Sequence, residues 1–371
     1  MRWRPTYAEI DLDAIRSNCR ALRALLGPQV VHLQVVKANG YGHGDVEVAR
    51  ACLESGVQRL AVALVEEGVR LREAGIDVPV LVLIEAPPDA AGEIVSRGLT
   101  PSVSTRAGAE SIAKAASDAG SVHPVHVAVD TGMHREGVSL EEAAGLIGWV
   151  REERSLSLEG VWSHLASPDD PAAESTGLQI GRFAQLRRAL ESQNLRAPLF
   201  HLANSAATIA RPEAHHDMVR TGVACYGLLP APWMADKVTL RPAMRLVSSV
   251  GLSRRVPAGE GVSYGLTWAP EKETTIATVQ LGYADGFARL LSNSGEVLIG
   301  GVRRPVVGRV TMDTIMVDCG DDAVSAGDEA VLMGSQGADA ITADEIAGRL
   351  QTIHYEVVCG VGARVPRVYL G

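Results

Sequence analysis

The feature that most constrains the fold is a regular alternation of short apolar runs and amphipathic segments over residues 30–225. The runs are almost continuously apolar, which is typical of strands buried on both faces of a parallel sheet, and the segments between them repeat apolar residues at helical spacing. Eight runs in this length predict a (β/α)8 barrel, whereas a doubly wound open sheet normally uses fewer strands. The predicted strands are Val30–Val36, Leu60–Leu64, Pro79–Ile84, Leu99–Val103, Val125–Val129, Leu158–His164, Leu199–Leu202 and Met218–Val223.

The pattern changes after about residue 235, where prolines interrupt the chain and runs rich in Val and Thr replace the alternation. In this part only Ala343–Leu350 is predicted to be helical, with Thr342 as its N-cap. We therefore expect an α/β plus β fold: an N-terminal (β/α)8 barrel of the TIM type over residues 10–235, followed by a mostly antiparallel β domain over residues 236–371. The predicted strands of the second domain are Leu246–Leu252, Thr274–Leu281, Glu296–Ile299, Pro305–Val310, Ile315–Val317, Glu329–Met333 and Arg367–Leu370.

Charge and cysteine content exclude several classes of protein. The formal net charge of −9 argues against a nucleic-acid or anionic-membrane partner. No apolar run approaches the roughly 18–20 residues that span a bilayer, and the N-terminus lacks the apolar core of a signal peptide. The five cysteines are scattered without Cys-x-x-Cys spacing, which fits a reducing compartment and neither a disulfide framework nor a zinc site. The expectation is a cytoplasmic globular protein without a bound metal.

The residues that follow the predicted barrel strands are strongly biased in type. Cations, imidazoles and small hydroxyl side chains follow several strands, with almost no carboxylates, and active sites of such barrels lie at this end. This composition predicts a pocket for an anion, with a phosphate and a carboxylate as the expected groups. The segments concerned are 37–44, 130–135, 163–164, 201–205 and 220–222.

One lysine in this set has a particular chemical use. The chain has only four lysines, and Lys37 alone ends an apolar run; a desolvated lysine can attack an aldehyde and form a Schiff base. Ser205 and the backbone N–H groups of Gly222 and Val223 could bind a phosphate. A phosphate-bearing aldehyde that stabilises carbanions is pyridoxal 5′-phosphate. Taken singly, Lys37 could be a surface residue, so the prediction depends on the whole constellation.

Arg220 indicates which reaction such a cofactor would support. The pyridine nitrogen needs a partner, either acidic or an arginine. Because arginine keeps its proton, it would leave the ring neutral and the carbanion short-lived. Such a ring suits reprotonation at the α-carbon, and hence racemisation, more than decarboxylation or transamination.

Motifs along nearly the whole chain resemble those of bacterial alanine racemases. The segment Val35–Gly44, which contains Lys37, resembles the cofactor-lysine signature of that family. The further motifs, in the family's order, are Asp130–Met133, Ser163–His164, Asn204–Ala207, Val219–Gly222, Val262–Gly265, Gly282–Gly286, Gly308–Asp313 and His354–Glu356.

The resemblance implies a fold-type III enzyme that uses pyridoxal 5′-phosphate to interconvert L- and D-alanine, and so supplies D-alanine for peptidoglycan. It further implies that a strand in residues 1–9 joins the C-terminal domain, and that a head-to-tail homodimer combines one subunit's barrel with the other's β domain at each active site. No nucleic acid or membrane would be a partner.

The resemblance also assigns roles to particular positions. Lys37 would bind the cofactor, Arg220 would meet the ring nitrogen, and His164 would lie near the ring. The backbone N–H of Met312 from the partner would bind the substrate carboxylate with Arg135. The remaining assigned positions are Tyr41, Ser205, Gly222, Val223 and Tyr355 at the phosphate and Tyr283 at the entrance.

Inversion of a stereocentre requires a proton to leave one face and another to arrive on the opposite face. Lys37 would serve one face, and Tyr264 resembles the second base of the family. Since an unperturbed tyrosine has a pKa of about 10, neighbours must tune it, and the family suggests a relay through His164 and Arg220.

Two positions depart from the family pattern. Ala128 stands where most members have a lysine, often carbamylated, whose negative charge orients the arginine represented by Arg135. His134 stands where glycine is usual. Another anion, chloride among them, or a neighbouring side chain would have to orient Arg135. These departures leave open a racemase of broader amino-acid specificity; a non-catalytic cofactor-binding barrel protein and a decarboxylase are the alternatives of other classes.

Overall fold

The structure is a computed structural model that describes residues 3–371. Within that range the strands, numbered in chain order, are β1 Tyr7–Asp11, β2 Val31–Val35, β3 Arg59–Val62, β4 Val80–Val82, β5 Thr100–Val103, β6 His123–Ala128, β7 Leu156–Trp162, β8 Leu199–His201, β9 Met218–Thr221, β10 Met244–Val256, β11 Thr274–Val279, β12 Glu296–Ile299, β13 Val302–Val307, β14 Ile315–Asp318, β15 Glu329–Gln336, β16 Asp339–Ile341 and β17 Arg367–Leu370.

Strands β2 to β9 form a closed parallel barrel in chain order. The barrel closes where β2 pairs with β9, with Val31 opposite Met218 and Leu33 opposite Arg220. Most residues of these strands are buried, as expected for strands that face both the barrel interior and a helical layer. The predicted (β/α)8 barrel is therefore confirmed, and each of its eight predicted strands overlaps an observed one.

Helices alternate with the barrel strands. Their N-termini follow ordinary capping chemistry: the side chains of Thr105, Ser139 and Asn204 each accept a hydrogen bond from the backbone N–H three residues further on. The α-helices of this part are Leu12–Arg23, Asp45–Glu54, Val65–Glu73, Ala91–Ser96, Arg106–Asp118, Leu140–Glu152, Glu174–Ser192 and Ser205–Ala210.

The second sheet has the strand order β16-β15-β12-β13-β14-β11-β10-β1-β17 and is antiparallel apart from the β1–β17 pair. The long strand β10 also pairs with β15, so six of its strands form a closed ring of hydrogen-bonded neighbours. The mostly antiparallel second domain is thus confirmed. The N-terminal strand β1 pairs with β10 and β17 of this sheet. Residues 1–2 of the predicted strand 1–9 lie outside the described residues.

Contacts divide the chain into two compact units. The barrel unit comprises Ala14–Gly40 and Asp45–Arg241. The β unit comprises residues 3–13, Tyr41–Gly44 and Pro242–Gly371. Among the described residues, no helix combines the length and the apolar character that a membrane crossing requires.

Two features of the second unit lie outside the sequence prediction. Helix Ala343–Leu350 is found at the predicted residues, with Thr342 accepting from the Glu345 N–H. A second helix, His354–Cys359, follows it, and a short strand β16 precedes it. Both are too short for a periodicity to be recognised.

The segment Lys37–Tyr41 coils with left-handed rather than right-handed geometry. Ala38, Asn39 and Gly40 have φ between 53° and 59° and ψ near 48°, and Tyr41 has φ 49°. L-residues avoid this region at a cost of about 1–2 kcal/mol each. A run of such residues directly after β2 is the kind of local strain that folded proteins retain at functional sites.

Candidate active site

The barrel brings four of the predicted site residues to one rim. Lys37 follows β2, His164 follows β7, Ser205 follows β8, and Arg220 lies within β9 near its end. Because all barrel strands are parallel, these positions are at the same, carboxyl end of the sheet. Lys37 is close enough to His164 to interact with it electrostatically.

Arg220 is buried and held by hydrogen bonds on both of its terminal nitrogens. Nη1 donates to Nδ1 and to the carbonyl oxygen of His201, at 3.0 Å each. Nη2 donates to Ser163 O at 2.7 Å and to His164 Nδ1 at 3.1 Å. The guanidinium lies 4.7 Å from the centre of the Trp162 ring. Burial, with a smaller effect of Arg135, lowers the pKa of Arg220 to about 9, so the group stays protonated at neutral pH.

A hydrogen-bond chain continues from Arg220 through the barrel interior. Because arginine only donates, His201 accepts through Nδ1 and donates through Nε2 to His126 Nδ1, at 2.8 Å. His126 Nε2 then donates to Glu159 Oε2 at 3.0 Å, and Arg59 donates to the same carboxylate at 2.9 Å. The direction of every bond fixes one neutral tautomer for each imidazole.

The surroundings of this hydrogen-bond chain keep His201 and His126 neutral and Glu159 charged. Burial lowers the pKa of His201 and of His126, and the charge of Arg220 lowers both further. Burial alone would raise the pKa of Glu159, but the hydrogen bonds from His126 and Arg59 outweigh it and lower the pKa to about 2.

Sequence reasoning missed His126, Glu159 and Arg59 altogether and gave His201 no role. His126 and Glu159 are polar residues inside predicted apolar strands, and Arg59 directly precedes one. Which of these residues meet cannot be predicted without the strand register. In the structure His126 lies opposite Gly160, and a Cβ at Gly160 would approach the His126 ring to 2.4 Å. Glycine at position 160 therefore leaves room for the imidazole.

His164 shares the environment of Arg220. Burial is the main reason why its pKa lies well below the usual value, and the charges of Arg220, Arg135 and Lys37 add to the effect. Since Arg220 donates to its Nδ1, the proton of the neutral ring is on Nε2. The imidazole is therefore a neutral donor on the side away from Arg220.

Ser205 organises backbone donors beside β9. Its Oγ accepts from the N–H of Gly222 at 2.7 Å and from that of Ala224 at 3.4 Å. Ser205 is the first residue of its helix, and Val223 begins a 3-10 turn over Val223–Tyr226. The Ser205 hydroxyl therefore lies beside the first residues of helix Ser205–Ala210 and of the turn Val223–Tyr226. Hydroxyl groups and helix N-termini of this kind bind anions.

Arg135 lies in a loop that is held by one carboxylate. Asp130 Oδ1 accepts from the backbone N–H groups of Gly132, Met133 and His134 at 2.8–3.1 Å. His134 has a left-handed φ of 56° and an 84% exposed side chain whose Nδ1 lies 2.8 Å from Asp130 Oδ2. The imidazole thus faces outward. The positive φ of the His134 backbone is the physical reason why glycine suits this position.

A small cavity of about 10 Å³, enough for about one water molecule, lies at the Ala128 position. Arg135, Glu136 and His164 also line it, whereas His134 does not. The short Ala128 side chain therefore leaves space beside Arg135, and Glu136 is the carboxylate that borders the same space.

The remaining predicted residues lie in the β unit. Tyr41 is buried, and its ring centre is 6.2 Å from that of Tyr355. Tyr355 in turn stacks on His354 at 4.9 Å. These two tyrosines are far apart in sequence, and the fold of this unit brings them together.

Tyr264, Tyr283 and Met312 are exposed on the β unit. The exposed fractions of these three residues are 71%, 40% and 52%, respectively. Tyr264 follows Ser263, which has a φ of 67° and whose Oγ donates to Arg309 O at 2.7 Å. Tyr283 lies beside Met312, because the N–H of Tyr283 donates to Thr311 O and that of Ala284 to Met312 O.

Comparison with known proteins places these motifs in one family. Residues 10–230 match the model of the alanine racemase N-terminal domain, and residues 243–369 match that of the C-terminal domain. An alanine racemase of Desulfovibrio desulfuricans is 45% identical, with 99% of this chain and 98% of the relative covered.

Solved structures agree with the sequence comparisons. The alanine racemase of Streptomyces lavendulae is 41% identical with a TM-score of 0.95, and the alignment covers 100% of this chain and 98% of the other. That of Bartonella henselae, solved with covalently bound pyridoxal phosphate, is 28% identical with a TM-score of 0.89, and the alignment covers 99% of each chain. The chain belongs to the alanine racemase family of isomerases.

Proposed function

We propose that this member of the family racemises L- and D-alanine with pyridoxal 5′-phosphate, and that Lys37 and Tyr264 are the two acid–base groups. The observation that carries the proposal is the pair of Lys37 and Arg220 on one barrel rim, with Arg220 fixed as a pure hydrogen-bond donor. The Bartonella henselae relative is described with this cofactor covalently bound.

The donor set of the barrel rim fits each part of that cofactor. The amine of Lys37 suits an aldehyde, and Arg220 suits an unprotonated ring nitrogen. The hydroxyl of Ser205 and the N–H of Val223 suit a phosphate, whereas the N–H of Gly222 donates to Ser205 Oγ and would hold that hydroxyl in place. We propose that Tyr41 and Tyr355 also serve the phosphate, as in the family pattern. When bound, the cofactor would withdraw electrons from the substrate and make its α-proton acidic.

Arg220 and its hydrogen-bond chain would set the strength of that electron withdrawal. Its guanidinium offers no acceptor and no transferable proton at neutral pH, so a ring nitrogen facing it would stay neutral. The bonds to His201 and Ser163 hold the group in one orientation. We infer that this arrangement favours return of a proton to the α-carbon over competing bond cleavages.

The two-base assignment divides the proton transfers between Lys37 and Tyr264. The Lys37 amine would take or give the α-proton on one face, and the Tyr264 hydroxyl would do so on the other. His164 would pass the influence of Arg220 to Tyr264, since it accepts from Arg220 and carries its own proton on Nε2. Tyr283 would line the entrance, as the family pattern suggests.

We propose that the substrate carboxylate is bound by Arg135 and the backbone N–H of Met312. Ala128 removes the negative charge that most members use to orient this arginine. Glu136, or a small anion in the cavity beside Ala128, would replace it.

We also propose a homodimer in which each active site takes Tyr264, Tyr283 and Met312 from the partner subunit. The support is that these side chains are exposed to solvent on the β unit, together with Leu266, which is 67% exposed. Exposed groups of large apolar side chains mark protein–protein interfaces. A role in supplying D-alanine for peptidoglycan and a cytoplasmic location follow from the family and stay predictions.

A racemase of broader specificity is the second candidate, and the space beside Ala128 favours it. Turnover of alanine, serine and lysine by the purified protein separates the two. Because His134 faces outward, we expect alanine to be preferred, with His134→Gly leaving that preference unchanged. A comparable rate with serine or lysine would instead support the broader enzyme.

The cofactor assignment is tested by visible absorbance of the purified protein. We expect a yellow protein whose absorbance band is lost in Lys37→Ala and kept in Lys114→Ala, a control that changes an exposed lysine paired with Asp118. Borohydride reduction and peptide mapping should label Lys37. Labelling at another position would contradict the assignment, and a bound cofactor without any α-proton exchange in deuterated water would favour a non-catalytic binding protein.

A further inference from the structure

Three cysteines that are distant in sequence meet in the barrel unit. Cys19 lies on helix Leu12–Arg23, Cys52 on helix Asp45–Glu54 and Cys225 in the turn Val223–Tyr226. All three are fully buried. Their sulfurs form a triangle with sides of 3.1 Å for Cys19–Cys225, 3.5 Å for Cys52–Cys225 and 3.6 Å for Cys19–Cys52. Nothing in the proposed racemase chemistry uses these thiols.

The cluster supplies three ligand atoms and no fourth. Among the described residues, no histidine, aspartate, glutamate or other cysteine completes the group within the same distance. Structural zinc sites use four protein ligands, and three-ligand zinc sites keep a water in the fourth position. The sulfurs here are buried, so solvent cannot supply a water as the fourth ligand. The cluster therefore suits a centre that binds three sulfurs alone.

The spacing of the sulfurs selects the shape of that centre. With a metal–sulfur bond of about 2.3 Å, sulfurs lie about 3.8 Å apart at a tetrahedral centre, about 4.0 Å apart at a planar three-coordinate one, and about 3.4 Å apart at a pyramidal centre with angles of about 95°. The observed sides of 3.1, 3.5 and 3.6 Å have a mean of 3.4 Å, which is closest to the pyramidal case. A pyramidal centre carries a lone pair where a fourth ligand would be.

Charge points to the same kind of centre. Three thiolates around a monovalent or divalent cation leave a net negative charge, which is costly in a buried site. A trivalent centre is neutralised by three thiolates. We propose that Cys19, Cys52 and Cys225 form a binding site for trivalent, thiophilic arsenic, taken up as arsenite.

The binding step balances without any change of oxidation state. Neutral As(OH)3 exchanges its three As–O bonds for three As–S bonds, and each thiol proton leaves with one hydroxide as water. Three waters are released, and no oxidant or reductant is needed. The ordinary alternative is that the three thiols are only apolar packing, because buried cysteines often behave as small hydrophobic residues.

The test uses the full-length, cofactor-loaded protein, incubated with arsenite without oxygen or added thiols. We expect one arsenic per chain by native mass spectrometry, with three hydrogens lost, and three sulfur neighbours with no oxygen in the arsenic X-ray absorption spectrum. Because the sulfurs are buried, uptake requires local opening, so a second sample is refolded from urea in the presence of arsenite. Absence of this species from both samples would overturn the proposal, as would arsenic held by fewer than three sulfurs.

Single variants identify the ligands. Cys19→Ser, Cys52→Ser and Cys225→Ser should each abolish the three-sulfur spectrum and the rise in melting temperature that a ligand of the native state causes. Cys319→Ser is the matched control, since it changes a buried cysteine of the β unit and should leave binding intact. The wild-type spectrum stands by itself if a variant folds poorly. Binding that survives all three cluster variants, or stoichiometric zinc uptake in place of arsenic, would contradict the assignment.

Discussion

At the scale of single residues, Arg220 illustrates how neighbouring groups fix the geometry of a side chain. Its chemistry as a permanent donor is set by its type. Its orientation is set by His201, Ser163 and His164, which belong to different strand ends. The same holds for Glu159, whose charge depends on hydrogen bonds from His126 and Arg59.

The two-base proposal predicts an asymmetric defect in Tyr264→Phe. Loss of one general acid–base group should slow α-proton exchange from one enantiomer by about 100-fold or more, while exchange from the other changes far less. Proton exchange with L- and D-alanine in deuterated water, followed by NMR, measures both rates. Tyr369→Phe serves as the control, because it removes a hydroxyl from the same unit. Equal and minor losses in both directions would count against the assignment.

Glu159 predicts how stability depends on acid. Because its pKa is about 2 in the folded protein and about 4.3 in an unfolded chain, its stabilising contribution is complete above pH ~4.3 and disappears as the pH falls towards 2. Glu159→Gln should therefore lower the free energy of unfolding at pH 7 by about 1–2 kcal/mol, a value reduced for its partial exposure. Urea unfolding between pH 7 and pH 3 should show a weaker acid dependence in the variant.

The control for Glu159→Gln is Glu93→Gln, which removes the charge of an exposed pair between Glu93 of helix Ala91–Ser96 and Arg97, the residue that follows this helix. That change should cost at most about 0.5 kcal/mol. If the two variants lose stability equally, the buried hydrogen-bond chain contributes nothing beyond an ordinary surface ion pair.

At the scale of elements, the left-handed turn after β2 is the most unusual local structure near the candidate site. It follows a strand whose direction the barrel fixes, and it directs the chain from Lys37 towards helix Asp45–Glu54. Only Gly40 tolerates its φ of 59° without strain, and a Cβ there would also lie 3.2 Å from backbone atoms of Asp45. The strain at Ala38 is retained in spite of its cost.

This turn predicts opposite effects for two exchanges between glycine and alanine. Gly40→Ala should lower the free energy of unfolding by about 1 kcal/mol or more, because of its positive φ and the close contact. Ala38→Gly should change it by less than about 1 kcal/mol and in the stabilising direction, since relief of strain offsets the greater freedom of glycine in the unfolded chain. Urea unfolding of both variants is the measurement. A neutral Gly40→Ala would show that the turn is not rigid.

At the scale of the whole molecule, the proposed site residues divide between the two compact units. Lys37, His164, Ser205, Arg220 and Arg135 belong to the barrel unit. Tyr264, Tyr283 and Met312 belong to the β unit and are exposed on it. The proposed homodimer gives both sets a common purpose, because each would complete the site of another subunit.

Shared sites predict that two inactive variants restore activity when mixed. In a heterodimer of Lys37→Ala and Tyr264→Phe subunits, one site carries both changes and the other carries neither. Random exchange of subunits in closed two-fold dimers should therefore recover about a quarter of the wild-type activity. Each variant alone provides the baseline. Mixing that restores nothing, although light scattering shows dimers that exchange subunits, would place each complete site within one chain.

The sequence determined the fold class because the apolar periodicities of both domains are local and long. The barrel strands, helix Ala343–Leu350 and the change of pattern near residue 235 could each be predicted from a few neighbouring residues. The sequence also determined the family, since motifs such as that around Lys37 are contiguous, and it indicated which end of the barrel carries the polar residues.

Only the tertiary structure decided which distant residues meet. The hydrogen-bond chain from Arg220 to Glu159 and the cluster of Cys19, Cys52 and Cys225 depend on strand register and on the packing of helices on the barrel, which no local pattern encodes. The outward direction of His134 likewise depends on a backbone φ that its residue type does not dictate. Local propensity is read along the chain, whereas contacts across the barrel are set by closure of the whole sheet.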